Sequence, residues 1–467
     1  MTGPSAAGGV SRARRAAGVA WFLGLLAAVD LFGRFLQSHD WEWGRERCAL
    51  LFALALGVLV ARPACPRILS GRPAAVALGA AALLVLGSLA RTGLTSVQHT
   101  RETGEIRLDQ GQNTLRAARL LLRGEDPYAQ GQLLDLEAYF TRREQRAEAG
   151  LGPEPDPVRA RQLAAHWWAR LDPEARARLL PPAPPGNAAA AAERSLYGYK
   201  YGPVLPLVTA PVQALAGPAA VPLLQLGWWA AWMALLLFCM RSAGVCWGAA
   251  ALFLACVGLE PNVATNALQL TASDVWVLAL MTAGLLAFLR GRPVALGLCV
   301  AAAMGCKLFP ALLLAPLLLV PPPGCGERGR RAALLACGAG LAALFLPFLI
   351  WDAAGFWANA VLWPSAMRPD NTHWSFYASP SLRLAAGAVL GCAVAAGAVV
   401  LVRRREQGAA AWLKYLAASS AALVLAGVAF HNNYAPWFTV WALGAVIASG
   451  CGPLSASAQA PAASGNR

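Results

Sequence analysis

The sequence predicts an all-α polytopic membrane protein of about a dozen helical spans, with one large extracytoplasmic segment. Three observations carry this. Of 467 residues, 57% are hydrophobic and only 13% are charged, whereas a soluble protein carries about 25% charged residues. Long apolar blocks alternate with short arginine-rich joints. Most of the remaining charge gathers in a single stretch, 93–200. The chain therefore divides into N-terminal spans (1–92), an extracytoplasmic loop (93–200), a helical membrane core (201–450) and an Ala/Ser/Pro-rich tail (451–467) expected to be disordered and cytoplasmic.

Apolar stretches of spanning length lie at 16–36, 48–63, 74–92, 219–240, 244–259, 272–290, 293–306, 308–322, 331–350, 381–402, 411–430 and 434–450. Gly and Pro inside them do not argue against helix, because neighbouring helices re-satisfy the freed backbone groups. The first stretch has no small-residue cleavage site and reads as a retained span. Arginines set the orientation: Arg12, Arg14 and Arg15, then Arg62, Arg67 and Arg72, Arg290 and Arg292, Arg328, Arg330 and Arg331, and Arg403, Arg404 and Arg405 mark cytoplasmic joints. Alternate crossing from a cytoplasmic N-terminus satisfies all of them and puts 93–200 outside. The run 201–217, interrupted by Pro203, Pro206 and Pro211, is apolar as well. A full crossing there would carry every later arginine joint outside, so it is expected to re-enter or to lie at the interface.

The net charge of +15 follows from this topology. Nucleic-acid binding would need a basic, aromatic-bearing soluble face, and none is visible. Most of the eleven cysteines sit in apolar blocks, where they act as small hydrophobes. None falls in 93–200, so that segment has no disulfide framework. Zinc-type CxxC pairs, a Walker loop, a dinucleotide glycine fingerprint and an Asp-x-Asp metal pair are all missing. No metal and no cofactor is expected.

Within 93–200, amphipathic helices are expected at 112–123 and 157–170, with a flexible connector at 179–191. The orientation also sorts the polar residues that are not arginine anchors. Asp109, Glu125, Asp126, Glu260, Asn262, Lys307, Asp352, Asp370, Asn371, His373, His431, Asn432 and Asn433 all fall at the outer face. Polar groups at that depth are costly unless they pair or serve function. The strongest local pattern runs from Asp109 to Tyr128. An acidic residue precedes an amphipathic helix, which ends at Gly124 before a Pro-Tyr turn. The ordinary reading is a capping aspartate, a C-cap glycine and a Glu-Asp-Pro turn.

The same run resembles the first outer loop of GT-C membrane glycosyltransferases, above all glycosyltransferase family 87, the polyprenol-phosphate-mannose-dependent type. It carries the acid (Asp109), the Ala117-Ala118 pair and Leu121-Leu122-Arg123-Gly124-Glu125-Asp126-Pro127-Tyr128. Tyr199 to Pro203 looks like the family's Tyr-x-Pro entry to the next membrane segment. Asn266 to Leu270 stands where a Gly-Gln-x-Asn-like motif is usual. GLCVAAAMGCKLFP (297–310) is similar to the family's small-residue helix ending in Lys-x-x-Pro, and His431-Asn432-Asn433 holds the place of a late His-His motif. The chain departs from the pattern in several places. Leu268 replaces the glycine before Gln269, a single histidine stands at 431, three spans precede the loop, and 129–197 looks inserted.

The resemblance implies a GT-C-like bundle that moves mannose or a similar sugar from a polyprenyl-phosphate donor to a glycan or glycolipid acceptor, in contact with membrane lipid. Asp109 would be the catalytic base, and Lys307 and His431 would meet the donor phosphate. Gln112, Tyr128, Glu260, Gln269, His373 and Asn432 would line the sugar or acceptor. Simpler readings stand beside these: a snorkelling Lys307, an interfacial His431, a helix-end turn at Glu260 and a loop residue at His373. A transporter or flippase would share the spans, but it would show repeats and mid-span ionisable residues. A structural or assembly protein would need no aspartate at the base of the loop. The Ala/Arg/Gly-heavy composition suggests a GC-rich bacterium, hence the cytoplasmic (inner) membrane with the site facing out.

Overall fold

A computed structural model describes residues 69, 71–106, 109–128, 199, 201–269, 271–362, 380–426 and 435–450. The expected spans at 16–36 and 48–63, the helix at 157–170, the connector at 179–191 and the tail after 451 lie outside the described residues. So do the side chain of Asp109 and the residues His373, His431 and Asn432.

Among the described residues every regular element is helical. In chain order the main helices are α1 (Arg72–Thr103), α2 (Asp109–Leu122), α3 (Val204–Ala216), α4 (Ala220–Ser242), α5 (Trp247–Leu259), α6 (Asp274–Leu289), α7 (Pro293–Cys306), α8 (Gly326–Phe356), α9 (Pro380–Arg403), α10 (Ala409–Ala426) and α11 (Ala435–Gly450). A π-helical stretch, Val263–Gln269, precedes α6, and a second, Trp357–Leu362, continues α8. By length and apolarity α1, α4 and α8 can each cross a membrane, and the shorter apolar helices pack among them.

Two expected spans come out differently. The stretch 74–92 belongs to α1, which runs on to Thr103 and ends at Gly104 in a left-handed conformation. The outer segment thus leaves the bundle about three turns later than the apolar run suggests. Apolarity reports which residues meet lipid, whereas the helix continues as long as its hydrogen bonds do; Gln98 even supports it with a bond to Glu102 (2.9 Å). The stretch 308–322 is not one helix. Pro310 and Pro316 remove backbone donors and break it into the short turns Leu308–Ala311, Leu312–Leu314 and Ala315–Leu318.

Helix ends gather by chemistry. At one end Arg290 donates to Ser242 (2.7 Å), Cys325 to the Gly291 carbonyl (3.3 Å) and Gln407 to the Pro321 carbonyl (2.9 Å). Arg405 pairs there with Glu327 (3.2 Å). The described arginine joints at 290–292, 328–331 and 403–405 therefore collect at a single end. The opposite, polar end holds the C-terminus of α1, where Ser96 donates to the Leu268 carbonyl of the π-helical stretch (2.8 Å), and the N-terminus of α6, where the Ala272 carbonyl accepts from Gln225 of α4 (2.8 Å). Helix α3 begins at this end, where the Gly202 amide bonds Cys306 (3.1 Å). It hands over at Gly217 to α4, whose Gln225 sits at the same end. Both ends of α3 thus lie at the polar end of the bundle.

Burial separates two kinds of helix. Helix α5 is buried almost all round, whereas α1 and α8 expose most of their apolar residues, such as Leu84 and Ile350. A helix apolar on every side and buried belongs to the centre of a bundle. One that leaves its apolar side chains uncovered has lipid as its solvent. One tight joint lies between α7 and α8. A Cβ on Gly297 would collide with the Ala333 carbonyl oxygen and the Cys337 amide. Because the obstruction is backbone, relief requires the helices to separate. Gly297→Ala should therefore cost about 2 kcal/mol, read as a lower melting midpoint in detergent. Gly338→Ala, where nothing lies within 4 Å of the new Cβ, should be neutral or slightly stabilising.

Candidate functional site

The polar end is built around the start of α2. Gln110 accepts hydrogen bonds from the Ser273 hydroxyl (2.9 Å) and amide (3.3 Å). Gly111 lets the 271–273 turn approach, since a Cβ there would lie 3.3 Å from the Thr271 carbonyl oxygen. Thr271 itself holds φ +59, a left-handed conformation that is strained for a β-branched residue. The Asp-Gln-Gly-Gln-Asn run therefore serves as a docking strip against the entrance to α6, as well as a helix start. Asp109 opens that helix, and Gly124, with φ +72, follows its last turn.

Immediately beyond Ser273 stands Asp274, the first residue of α6. Its Oδ1 receives the Lys307 ammonium at 2.6 Å and the Trp437 indole N–H at 3.2 Å. The side chains of the pair are only 10% (Lys307) and 5% (Asp274) exposed. The N-terminus of α6 adds its positive partial charge to the stabilisation of the carboxylate. Lys307 sits where α7 has just ended, on extended backbone, and its ammonium lies 5.5 Å from the centre of the Tyr201 ring. In sequence Lys307 reads as an uncommitted cation for a phosphate, whereas in the fold it is ion-paired. Asp274 escapes the sequence reading because it opens an apolar run. The signal that marks it is an ionisable residue at the edge of a span.

Three residues expected to line the sugar or acceptor make hydrogen bonds within the protein. Gln112 is buried, and its carbonyl oxygen accepts from the Ile106 amide (2.9 Å). Tyr128 is fully buried, with its ring against Tyr199, Phe348 and Phe356 at 4.7–5.7 Å. The Tyr128 hydroxyl donates to the Tyr201 carbonyl (2.9 Å), and its own carbonyl receives Asn359 (2.9 Å). It is a strut that fixes the backbone of Tyr201 beneath Lys307. Glu260 is buried too, accepting from the Asn262 side chain (2.7 Å) and the Val263 amide (2.8 Å), so both carboxylate oxygens are spent on the start of the π-helical stretch. Gln269 ends that stretch; its side chain lies outside the described residues. In each case a buried polar group finds its partner within the protein, as the cost of leaving it unpaired requires.

Asp109 adjoins Gln110, which holds Ser273 beside Asp274. His431 and Asn432 precede α11 in the chain by a few residues, and α11 carries Trp437. The described residues contain no cluster of three or more His, Cys, Asp or Glu able to hold a metal.

The family model of glycosyltransferase family 87 matches residues 199–450, more than half of the chain. The chain belongs to glycosyltransferase family 87. This makes it a membrane glycosyltransferase, using a sugar donor and an acceptor. No curated protein and no solved structure matches it. The family match takes in Tyr201, Glu260, Asp274, Lys307, His431 and Trp437, and starts after the Asp109–Tyr128 run.

Glu260, in the connection between α5 and the π-helical stretch, provides a pH test. Burial pushes its carboxyl up to about 7 from 4.5, against the pull of its hydrogen bonds to Asn262 and Val263. The folded state thus binds this proton more tightly than the unfolded chain does. The associated stability is fully present below pH 4.5 and is lost as pH rises through about 7. The melting midpoint in detergent should fall over that window, and Glu260→Gln should flatten the fall.

Proposed function

We propose that this glycosyltransferase takes mannose or a similar hexose or pentose from a polyprenyl-phosphate carrier. It passes the sugar to a glycan or glycolipid acceptor at the outer face of the bacterial cytoplasmic membrane, within a GT-C-like bundle of about twelve spans. The observation that carries this reading is the meeting of α2, α6 and Lys307 at the polar end, opposite the arginine joints. Arginines favour the cytoplasmic side, so the polar end faces outward, where lipid-linked sugars replace nucleotide sugars. The missing Asp-x-Asp pair fits the same donor.

In this reading the Asp109 carboxylate accepts the proton of the acceptor hydroxyl as its oxygen bonds the anomeric carbon. The bond from that carbon to the phosphate oxygen breaks, and the phosphate keeps the electron pair. Positive groups facing the departing phosphate lower the barrier; Lys307, with His431, supplies them. The polyprenyl chain lies along the apolar surface of the bundle.

Asp109→Asn keeps the shape of the side chain and removes the base. Transfer from decaprenyl-phosphate-linked mannose in membranes should drop about a hundred-fold or more, while the amount of folded protein stays at the wild-type level. Unchanged transfer removes Asp109 from the mechanism. Failure of the wild type to consume any lipid-linked sugar removes the donor assignment.

A further inference from the structure

We infer that Asp274 is a positioning residue for the donor phosphate: it holds the Lys307 ammonium at the polar end, where the phosphate of the lipid carrier arrives. The inference rests on the lipid-phosphate reading above and names the part of the site that reading leaves open. Lys307 follows the end of α7 on extended backbone, so the helix does not orient its four-carbon stem. Three contacts do so in its place. Asp274 Oδ1 takes one N–H at 2.6 Å, the Tyr201 ring faces the ammonium at 5.5 Å, and the Trp437 indole N–H holds the carboxylate from the far side at 3.2 Å.

Each contact is itself braced. Asp274 is set by Ser273, which Gln110 of α2 grips through both its amide and its hydroxyl. Tyr201 is set by the buried Tyr128 hydroxyl. The lysine is thus fixed from α2, α6 and α11 together.

Stability is a poor reason for such an arrangement. A buried ion pair is matched or bettered by well-packed apolar side chains of the same volume. Positioning is a better reason. A phosphate would meet the ammonium in the orientation that Asp274 and Tyr201 give it. The positive N-terminus of α6 would otherwise attract the anion itself, but Asp274 occupies that end. The approaching phosphate is left with the lysine as its partner.

The test uses the full chain in phosphatidylcholine nanodiscs and two probes, decaprenyl phosphate and decaprenol, which differ only in the phosphate. The readout is the ratio of their affinities. A purely structural role would weaken both probes alike and leave the ratio unchanged. Wild type should prefer the phosphate. Asp274→Asn should lower that preference about ten-fold, and Asp274→Glu should recover most of it. Because Asp274→Asn leaves a buried lysine unpaired and could prevent folding, Asp274→Asn combined with Lys307→Gln removes both charges. This double variant should fold and bind the two probes about equally.

A folded Asp274→Asn chain or double variant that retains the wild-type preference overturns the inference. So does a wild type with no preference for the phosphate. Sugar transfer is measured separately. A wild type that prefers decaprenyl phosphate yet transfers no lipid-linked sugar sinks the transferase mechanism and leaves the placement of Asp274 standing.

Discussion

A lysine and an aspartate held together inside an apolar bundle govern the polar end of this protein. Neither charge is tolerated there alone, so α6 and α7 must meet at that height, with Asp274 at the start of one and Lys307 at the end of the other. The register of the two helices follows. Trp437 brings α11 to the same carboxylate, and the Gln110–Ser273 bonds bring α2. The close contact of Gly202 with Gly305 and Cys306 then seats the entrance of α3 beside Lys307. Most of what surrounds the pair is there to hold it.

The remaining polar groups at this end follow the same economy. Glu260, Gln112 and Tyr128 are residue types that could bind a sugar, and each is bonded internally. Residue type and depth therefore do not separate ligand contacts from struts. In a region poor in water, most buried donors and acceptors find a partner, and a strut and a binding residue look identical until the partner is known. The arginine end is simpler. Its ion pair and hydrogen bonds tie successive joints together, as Arg405 does with Glu327, and the polar chemistry is left to the opposite end.

Membership of glycosyltransferase family 87 rests on the membrane core, residues 199–450. The outer helix α2 lies before that match, yet it is bound to the core through Gln110 and Ser273 and through the Thr114–Tyr199 hydroxyl contact (3.3 Å). A helix that lies before the matched residues is thus attached to the matched core by its own side chains.

The sequence by itself determined the class of the protein and the position of most helices. Backbone groups in lipid must be satisfied within the segment, so apolar length translates directly into helix. Helix α2 (Asp109–Leu122) covers most of the amphipathic stretch expected at 112–123 and starts a turn earlier. Tertiary structure alone decided where α1 ends, how prolines divide 308–318, and which polar residues face one another. Asp274 and Lys307 are 33 residues apart in the chain, and Trp437 is 163 from Asp274. No local pattern encodes such a pairing. Periodicity records which side of a helix is apolar, whereas an ion pair depends on the height and rotation at which two separate helices pack.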